Sequence, residues 1–389
     1  MRRSGLFSPG KARAGARAAL ALLPLVAFAQ QELTREGDLW VRTLHGSTPA
    51  VSRLRVSAHG PVTVEGGVSP NLSYSVKVGV KTRTAAEARR ILERYAVGLA
   101  PRGDWLVLTA PGGAAMSAVS VKAPRLVAAS VSTSDGMVDV RGIDGALDVE
   151  TGGGELYVDR VRGDCKLSTG GGDVRVGEVD GSLECASGAG RITVGTVRGE
   201  AVLATEGGDI VVTEVGGPVR AQTRGGGIHI AKAGGAVNAT SGGGRIMVDK
   251  AGGLVIARNV AGPVQVGAAA GVQCESTTGG VRLSNIWGSM QVSTMMGSIL
   301  ADLLGGRPAD SFLATGNGDI TVLIPSNVGV TIQAENEMAD TVRRIVSEFP
   351  GIPVRRQGTL IVAEGPANGG GPLLRISAAA GTIFIKRQE

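Results

Sequence analysis

Four groups of residues have the types and spacing that chemistry would need. Glu155, Asp173 and Asp209 each follow a glycine run in one column of an 18-residue repeat, where stacked carboxylate oxygens could hold calcium. Arg191, Gly227 and Arg245 stand in the same column, and calcium would need oxygen ligands at both corners of the repeat. The column therefore reads as mixed signs that relieve like-charge stacking. A second column carries small hydroxyls, Thr133, Thr151, Thr169, Ser187, Thr205, Thr223, Ser241, Ser276 and Thr294. An ice-binding array needs two outward Thr per repeat on a flat face. Here there is one, on the inward parity beside a glycine corner, which suits a ladder of hydroxyls satisfying corner backbone groups.

The other two groups are the cysteines and histidines. Cys165, Cys185 and Cys274 fall on inward positions. Cys165 and Cys185 lie in neighbouring repeats, offset by two residues, so their Cα atoms should be about 8 Å apart, too far for a disulfide. All three read as small buried hydrophobes. His45, His59 and His229 have no metal-ligand spacing with one another, and His229, between Ile228 and Ile230, points outward. No Ser/His/Asp arrangement, phosphate-binding loop or dinucleotide fingerprint sits in a strand-turn-helix setting. The sequence therefore predicts no catalytic, cofactor-binding or metal-binding residue, and no cofactor.

These columns exist because the chain repeats. GALDVETGGGELYVDRVR from Gly145 is followed by copies opening at Gly163, Gly181, Gly199, Gly217, Gly235 and Gly253, each 18 residues on. The copy from Gly253 is one residue short, after which Val272, Cys274 and Ser276 regain the inward positions and the phase holds to Gly306. A weaker copy precedes the series at about Ala129 to Ile143. Within a copy the apolar residues alternate twice, as Leu147 and Val149, then Leu156 and Val158, with Val161 closing the unit. That is strand periodicity. Glycine corners separate the two strands, and a sharp corner calls for backbone angles that a Cβ forbids. So short a unit must stack on its neighbours. The fold class predicted is all-β, a parallel β-solenoid of 18-residue coils with two short strands each. The crossover rule favours a right-handed coil, and short α-helices are expected in the terminal capping regions.

Four segments follow. Residues 1–29 read as a signal peptide, with Arg2, Arg3, Lys11, Arg13 and Arg17 before the apolar run Ala18 to Ala29 and an Ala27-Phe28-Ala29 cleavage site. Residues 30–126 form an N-terminal strand-helix-strand capping region. Tyr74, Val76, Val78 and Val80 alternate, Thr84 to Glu87 is a capping box, and Ala88, Ile91, Leu92 and Tyr95 share a helix face before the strand Trp105 to Leu108. Residues 127–325 are the regular coils. Residues 326–389 complete the solenoid, with Val328, Val330 and Ile332 in a strand, a helix over Asp340 to Phe349, and strands holding Leu374, Ile376, Ile383 and Ile385.

Composition agrees with a thin core: 62 glycines and only 3% aromatic residues leave Val, Ile, Leu and Ala to fill it. The leader holds five basic and no acidic residues. Removing it takes Lys+Arg from 40 to 35 against 34 Asp+Glu, so the net charge falls from +6 to +1. That balance gives no ground for nucleic-acid binding, and no later segment is long and apolar enough to span a membrane.

The leader, the strand-helix-strand region, the G-x-L-x-V-x-T-x-x-G-x-I-x-V coils and the ending GPANGGGPLLRISAAAGTIFIKR together resemble a bacterial family of putative adhesins. The resemblance implies an exported β-solenoid of unknown function, and it implies no catalytic residue. The leading functional expectation is a non-enzymatic protein of the periplasm, cell envelope or exterior that binds a surface, glycan or protein partner. The alternative is a polysaccharide-active lyase or hydrolase, whose site would cluster charged residues on lengthened coils. The coil after Gly306 carries about three extra residues, near the lone aromatic Trp287, and a sugar site would be expected there.

Overall fold

Runs of five or six residues that alternate apolar and polar side chains become the strands of a two-sheet solenoid. The computed structural model describes residues 33–113, 116–304, 307–337 and 344–388; the leader and its cleavage site lie outside them. In the first sheet Ala128–Thr133 is followed by Ala146–Thr151, Cys165–Thr169, Leu183–Ser187 and so on to Ser311–Asn317, every neighbour parallel. In the second sheet Val138–Ile143, Leu156–Val161, Val174–Val179 and their successors run to Ile320–Pro325 in the same way. This gives about 11 consecutive turns. Each residue sits against its equivalent 18 positions on, as Leu147 does against Cys165 and Val174 against Ile192. Between the sheets lies one continuous core of Val, Leu, Ile and Ala with the three cysteines, Met290 and Phe349. Each fully buried aliphatic side chain contributes about 1.5–3 kcal/mol.

The irregular coils are where the sequence places them. Val255 pairs with Val272 and Val264 with Val281, each 17 residues on. The lost residue comes from the corner between buried Ala269 and Val272, since the corresponding Ala251 and Val255 stand one residue further apart. Val292 pairs with Leu313 and Ile299 with Ile320, each 21 residues on, so the three extra residues fall between Asp302 and Ser311.

At both ends the coils stack out of chain order. The coil formed by Arg53–Ala58 and Val62–Glu65 pairs with Ala128–Thr133 and Val138–Ile143 on one side. On its other side it pairs with Trp105–Thr109 and Met116–Lys122. At the far end Leu373–Ala380 and Ile383–Gln388 slot between the coil of Ser311–Asn317 and Ile320–Pro325 and the coil of Val330–Asn336 and Ile345–Ser347. The parallel ladder thus takes in strands from both terminal regions.

Antiparallel strands then close the ladder. Leu72–Val80 covers Met116–Lys122 and is covered in turn by Leu39–Thr48 and Thr34–Glu36. Gly98–Arg102 covers Trp105–Thr109; at the other end Leu360–Ala367 and Val354–Gln357 cover Val330–Asn336. The outermost strands are poor templates for a further chain. Thr34–Glu36 and Ile345–Ser347 are three residues long, Gly98–Arg102 contains Pro101, and Val354–Gln357 exposes Arg355 and Arg356.

The helix Ala85–Leu92 begins where the capping box predicts, the Glu87 N–H donating to Thr84 Oγ1 at 3.3 Å. Its Ala88 and Leu92 are buried, while Ile91 faces solvent rather than the core. Arg42 closes the other end by donating to the Leu92 carbonyl at 3.2 Å. The second helix, expected over Asp340 to Phe349, is corrected. Ile345–Ser347 is a strand paired with Ile383–Gln388, and residues 338–343 lie outside the described residues. The apolar spacing of Ile345 and Phe349 serves two different contacts, one in the ladder and one in the turn that follows.

The expected backbone angles are found at Gly136, Gly262 and Gly318 of the corner column, which adopt positive φ, but the central corners need glycine for a different reason. Gly154, Gly172, Gly190, Gly208 and Gly226 do not adopt positive φ; a Cβ on each would collide with the carbonyl of its equivalent one coil back. Gly171, one residue away from Gly172, has open space around its Cβ position. Gly172→Ala should therefore destabilise the protein by about 1–3 kcal/mol. Gly171→Ala should stay within about 0.5 kcal/mol of the parent. Urea unfolding of the two variants checks this contrast.

Candidate functional site

The hydroxyl column points into the corner. Ser187 Oγ donates to the Gly172 carbonyl at 2.9 Å and accepts from the Gly190 N–H at 2.9 Å. Thr205, Thr223 and Ser241 repeat the pair of contacts, donating to Gly190, Gly208 and Gly226 and accepting from Gly208, Gly226 and Gly244. The ladder is longer than the nine hydroxyls picked out by spacing. Asn259 substitutes its amide, donating to Gly244 and Gly262 at 3.0 and 2.8 Å. Thr315 donates to Gly297, and buried Asn336 donates to Gly381 in the terminal coil. Asn259 was hidden because it breaks the Thr/Ser pattern while keeping the donor.

The charged column is occupied by contacts between coils. Asp173 Oδ1 accepts from the Arg191 N–H at 2.8 Å, and Asp209 Oδ1 from the Gly227 N–H at 2.9 Å. Arg191 pairs with Asp209 at 2.9 Å, and Arg175 with Glu155 at 3.1 Å. Among the described residues no three His, Cys, Asp or Glu side chains converge as metal ligands would. His229 lies on the outer face with Nε2 3.0 Å from Asp249 Oδ2. His45 is exposed on the strand Leu39–Thr48 and His59 in the bend after Arg53–Ala58.

The thiols are buried and free. Cys165 stands opposite Leu183 and Cys185 opposite Leu167, the two-residue offset that spacing predicts. Burial pushes the Cys165 thiol far above its ordinary range and pushes Cys185 and Cys274 up to about 12.

Among the described residues the surface has shallow concavities, two of which are lined as follows. Along the outer face of the second sheet a trough of about 310 Å³ runs across the coils from Arg245 to Leu300. Its floor is set by the corner column, where Arg245 is followed by Pro263, Gly280 and Ser298. A Cβ on Gly280 would approach only the Ser298 carbonyl, at 3.3 Å, so nothing fills the column there. Gln265, Arg282 and Leu300, in register on adjacent strands, form the wall. A second groove of about 570 Å³ opens between Ala50 to Ser52 and Pro124 and Arg125, where the chain leaves and rejoins the ladder. Sequence patterning singled out neither.

The lengthened coil is also present as expected. Arg307 lies 5.9 Å from the centroid of exposed Trp287, and the Ala309 N–H donates to the Gly288 carbonyl at 3.2 Å. Trp287 and the extra residues therefore meet.

The architecture defines an all-β, parallel two-sheet solenoid. Among the described residues no helix is long and apolar enough to cross a membrane. No family model matches the chain, and no curated protein does. Solved structures are similar to it at low identity. A putative cell adhesion protein from Clostridium sporogenes is 9% identical, with 90% of this chain and all of that one covered, at a TM-score of 0.20. A putative adhesin from Bacteroides fragilis is 12% identical, covering 90% of this chain and 97% of that one, at 0.26. Another from Parabacteroides distasonis is 12% identical, covering 72% and 96%, at 0.27.

Burial of the thiols has a measurable consequence. In the unfolded chain a cysteine ionises near pH 8.5, while the folded chain keeps all three protonated well above that. The folded state then holds more protons than the unfolded one, so stability is full below pH 8.5 and falls as pH rises toward 12. Unfolding free energies measured between pH 7.5 and 10.5 should decline. A thiol reagent at pH 8 should label none of the three cysteines until denaturant is added.

Proposed function

We propose that the chain is an exported, non-enzymatic solenoid of the adhesin type, which presents its outer coil faces to a surface, glycan or protein partner. One observation carries the reading. Within the central coils the side chains with chemical potential are engaged in stacking: the hydroxyls bond corner glycines, Asp173 and Asp209 hold backbone N–H groups, and the thiols are buried. What is left on the outside is a stiff hydrogen-bonded surface with shallow troughs, suited to contact rather than to bond cleavage. Export rests on the basic and apolar leader of residues 1–29, with cleavage between Ala29 and Gln30.

The polysaccharide-active reading keeps one observation in its favour, the meeting of Trp287, Arg307 and the lengthened coil. Both readings face the same experiment, run on protein secreted by its own host. The N-terminus should begin at Gln30 by mass spectrometry. A glycan array should report retention of a subset of glycans, and a panel of polysaccharides should be recovered at unchanged length. Shortened polymer would overturn the non-enzymatic assignment, and a retained Met1 to Ala29 would overturn export.

A further inference from the structure

The trough between Arg245 and Leu300 brings together two arginines that hold no carboxylate. Elsewhere in the central coils Arg162, Arg175, Arg191, Arg198, Arg224 and Arg258 each hold a carboxylate. Arg245 and Arg282 are exposed, and neither guanidinium forms a side-chain hydrogen bond or ion pair among the described residues. The carboxylates nearest along these strands are engaged elsewhere. Asp249 faces His229, Asp302 accepts from the Leu304 N–H at 2.9 Å, and Asp319 accepts from the Thr382 N–H at 2.8 Å. The trough is therefore a cationic strip with no acid in its lining.

Its geometry selects among anions. Arg245 and Arg282 stand two coils apart, about 10 Å along the stacking direction. The coil between them supplies the amide of Gln265 and apolar Pro263, Gly280 leaves a bare floor beside Arg282, and the Ser298 hydroxyl and Leu300 follow one coil beyond. Planar guanidinium forks match carboxylates. The amide and hydroxyl suit sugar hydroxyls, and the two apolar residues suit the C–H face of a pyranose. A nucleic acid would call for denser positive charge and for aromatic residues on which bases stack, and no aromatic residue lines the trough. A peptide strand would call for a free sheet edge, whereas these strands are paired on both sides.

We infer that this trough binds a stretch of an acidic polysaccharide, with Arg245 and Arg282 each taking a uronate carboxylate. The inference rests on the binding function proposed above and names its ligand class and its place.

The test is titration of the full chain with an oligogalacturonate, its methyl ester and a single-stranded DNA oligomer, beside the same glycan array. The oligogalacturonate should bind, weaken with added salt, and lose about tenfold in affinity in each of Arg245→Gln and Arg282→Gln. The methyl ester should bind poorly. Arg220→Gln, an exposed arginine on the opposite sheet, should leave binding unchanged, and circular dichroism should show all three variants folded. Oligogalacturonate binding that survives both trough substitutions would overturn the site, as would tighter binding of DNA. An array on which only other glycans bind would overturn the acidic-glycan assignment and leave the binding function standing. Silence toward every ligand would count against both.

Discussion

Stacking at strand spacing brings the corner backbones of successive coils so close that no Cβ fits between them, and most of the molecule follows from that contact. Glycine is imposed at Gly154 and its equivalents by the carbonyl one coil back. A corner of glycines leaves N–H and C=O groups facing inward, where an unmet hydrogen bond costs about 1–3 kcal/mol. The Thr/Ser column meets it, each hydroxyl tying the corner of its own coil to the previous one. The space between the sheets is filled mostly by aliphatic side chains, with the three buried cysteines among them.

A ladder this regular needs ends that do not recruit more strands. The two termini answer in the same way: a coil distant in sequence is inserted one place inside the outermost coil, and antiparallel strands are laid over it. Fraying an end then means separating segments such as Arg53–Ala58 and Trp105–Thr109, which are joined through the helix and hairpins between them. Pro101, Arg355 and Arg356 on the outermost strands disfavour edge-to-edge pairing.

The regular part of this design was legible because it is periodic. Two positions 18 apart report the same environment, so inward columns, the cysteine offset and the slip before Val272 could be read by alignment alone. What was not legible depends on contacts between unlike segments. Nothing local in Arg53–Ala58 or Leu373–Ala380 says which coil lies beside it. Ile345 and Phe349 have helical spacing by coincidence of a strand and a turn. The cause of the glycine corners needed the distance to the next coil, and the trough needed knowledge of which arginines lack carboxylate partners. Function was least legible, since a repeat spends its conspicuous residues on stacking.

The corner is a hydrogen-bonded column running from coil to coil. Residue-resolved hydrogen exchange tests it most directly. The amides of Gly208, Gly226 and Gly244, which donate to Thr205, Thr223 and Ser241, should be protected to the same degree as the strand amides of the central coils. The exposed glycines beside them, Gly207, Gly225 and Gly243, should exchange quickly. Column amides that exchange as fast as these neighbours would contradict it.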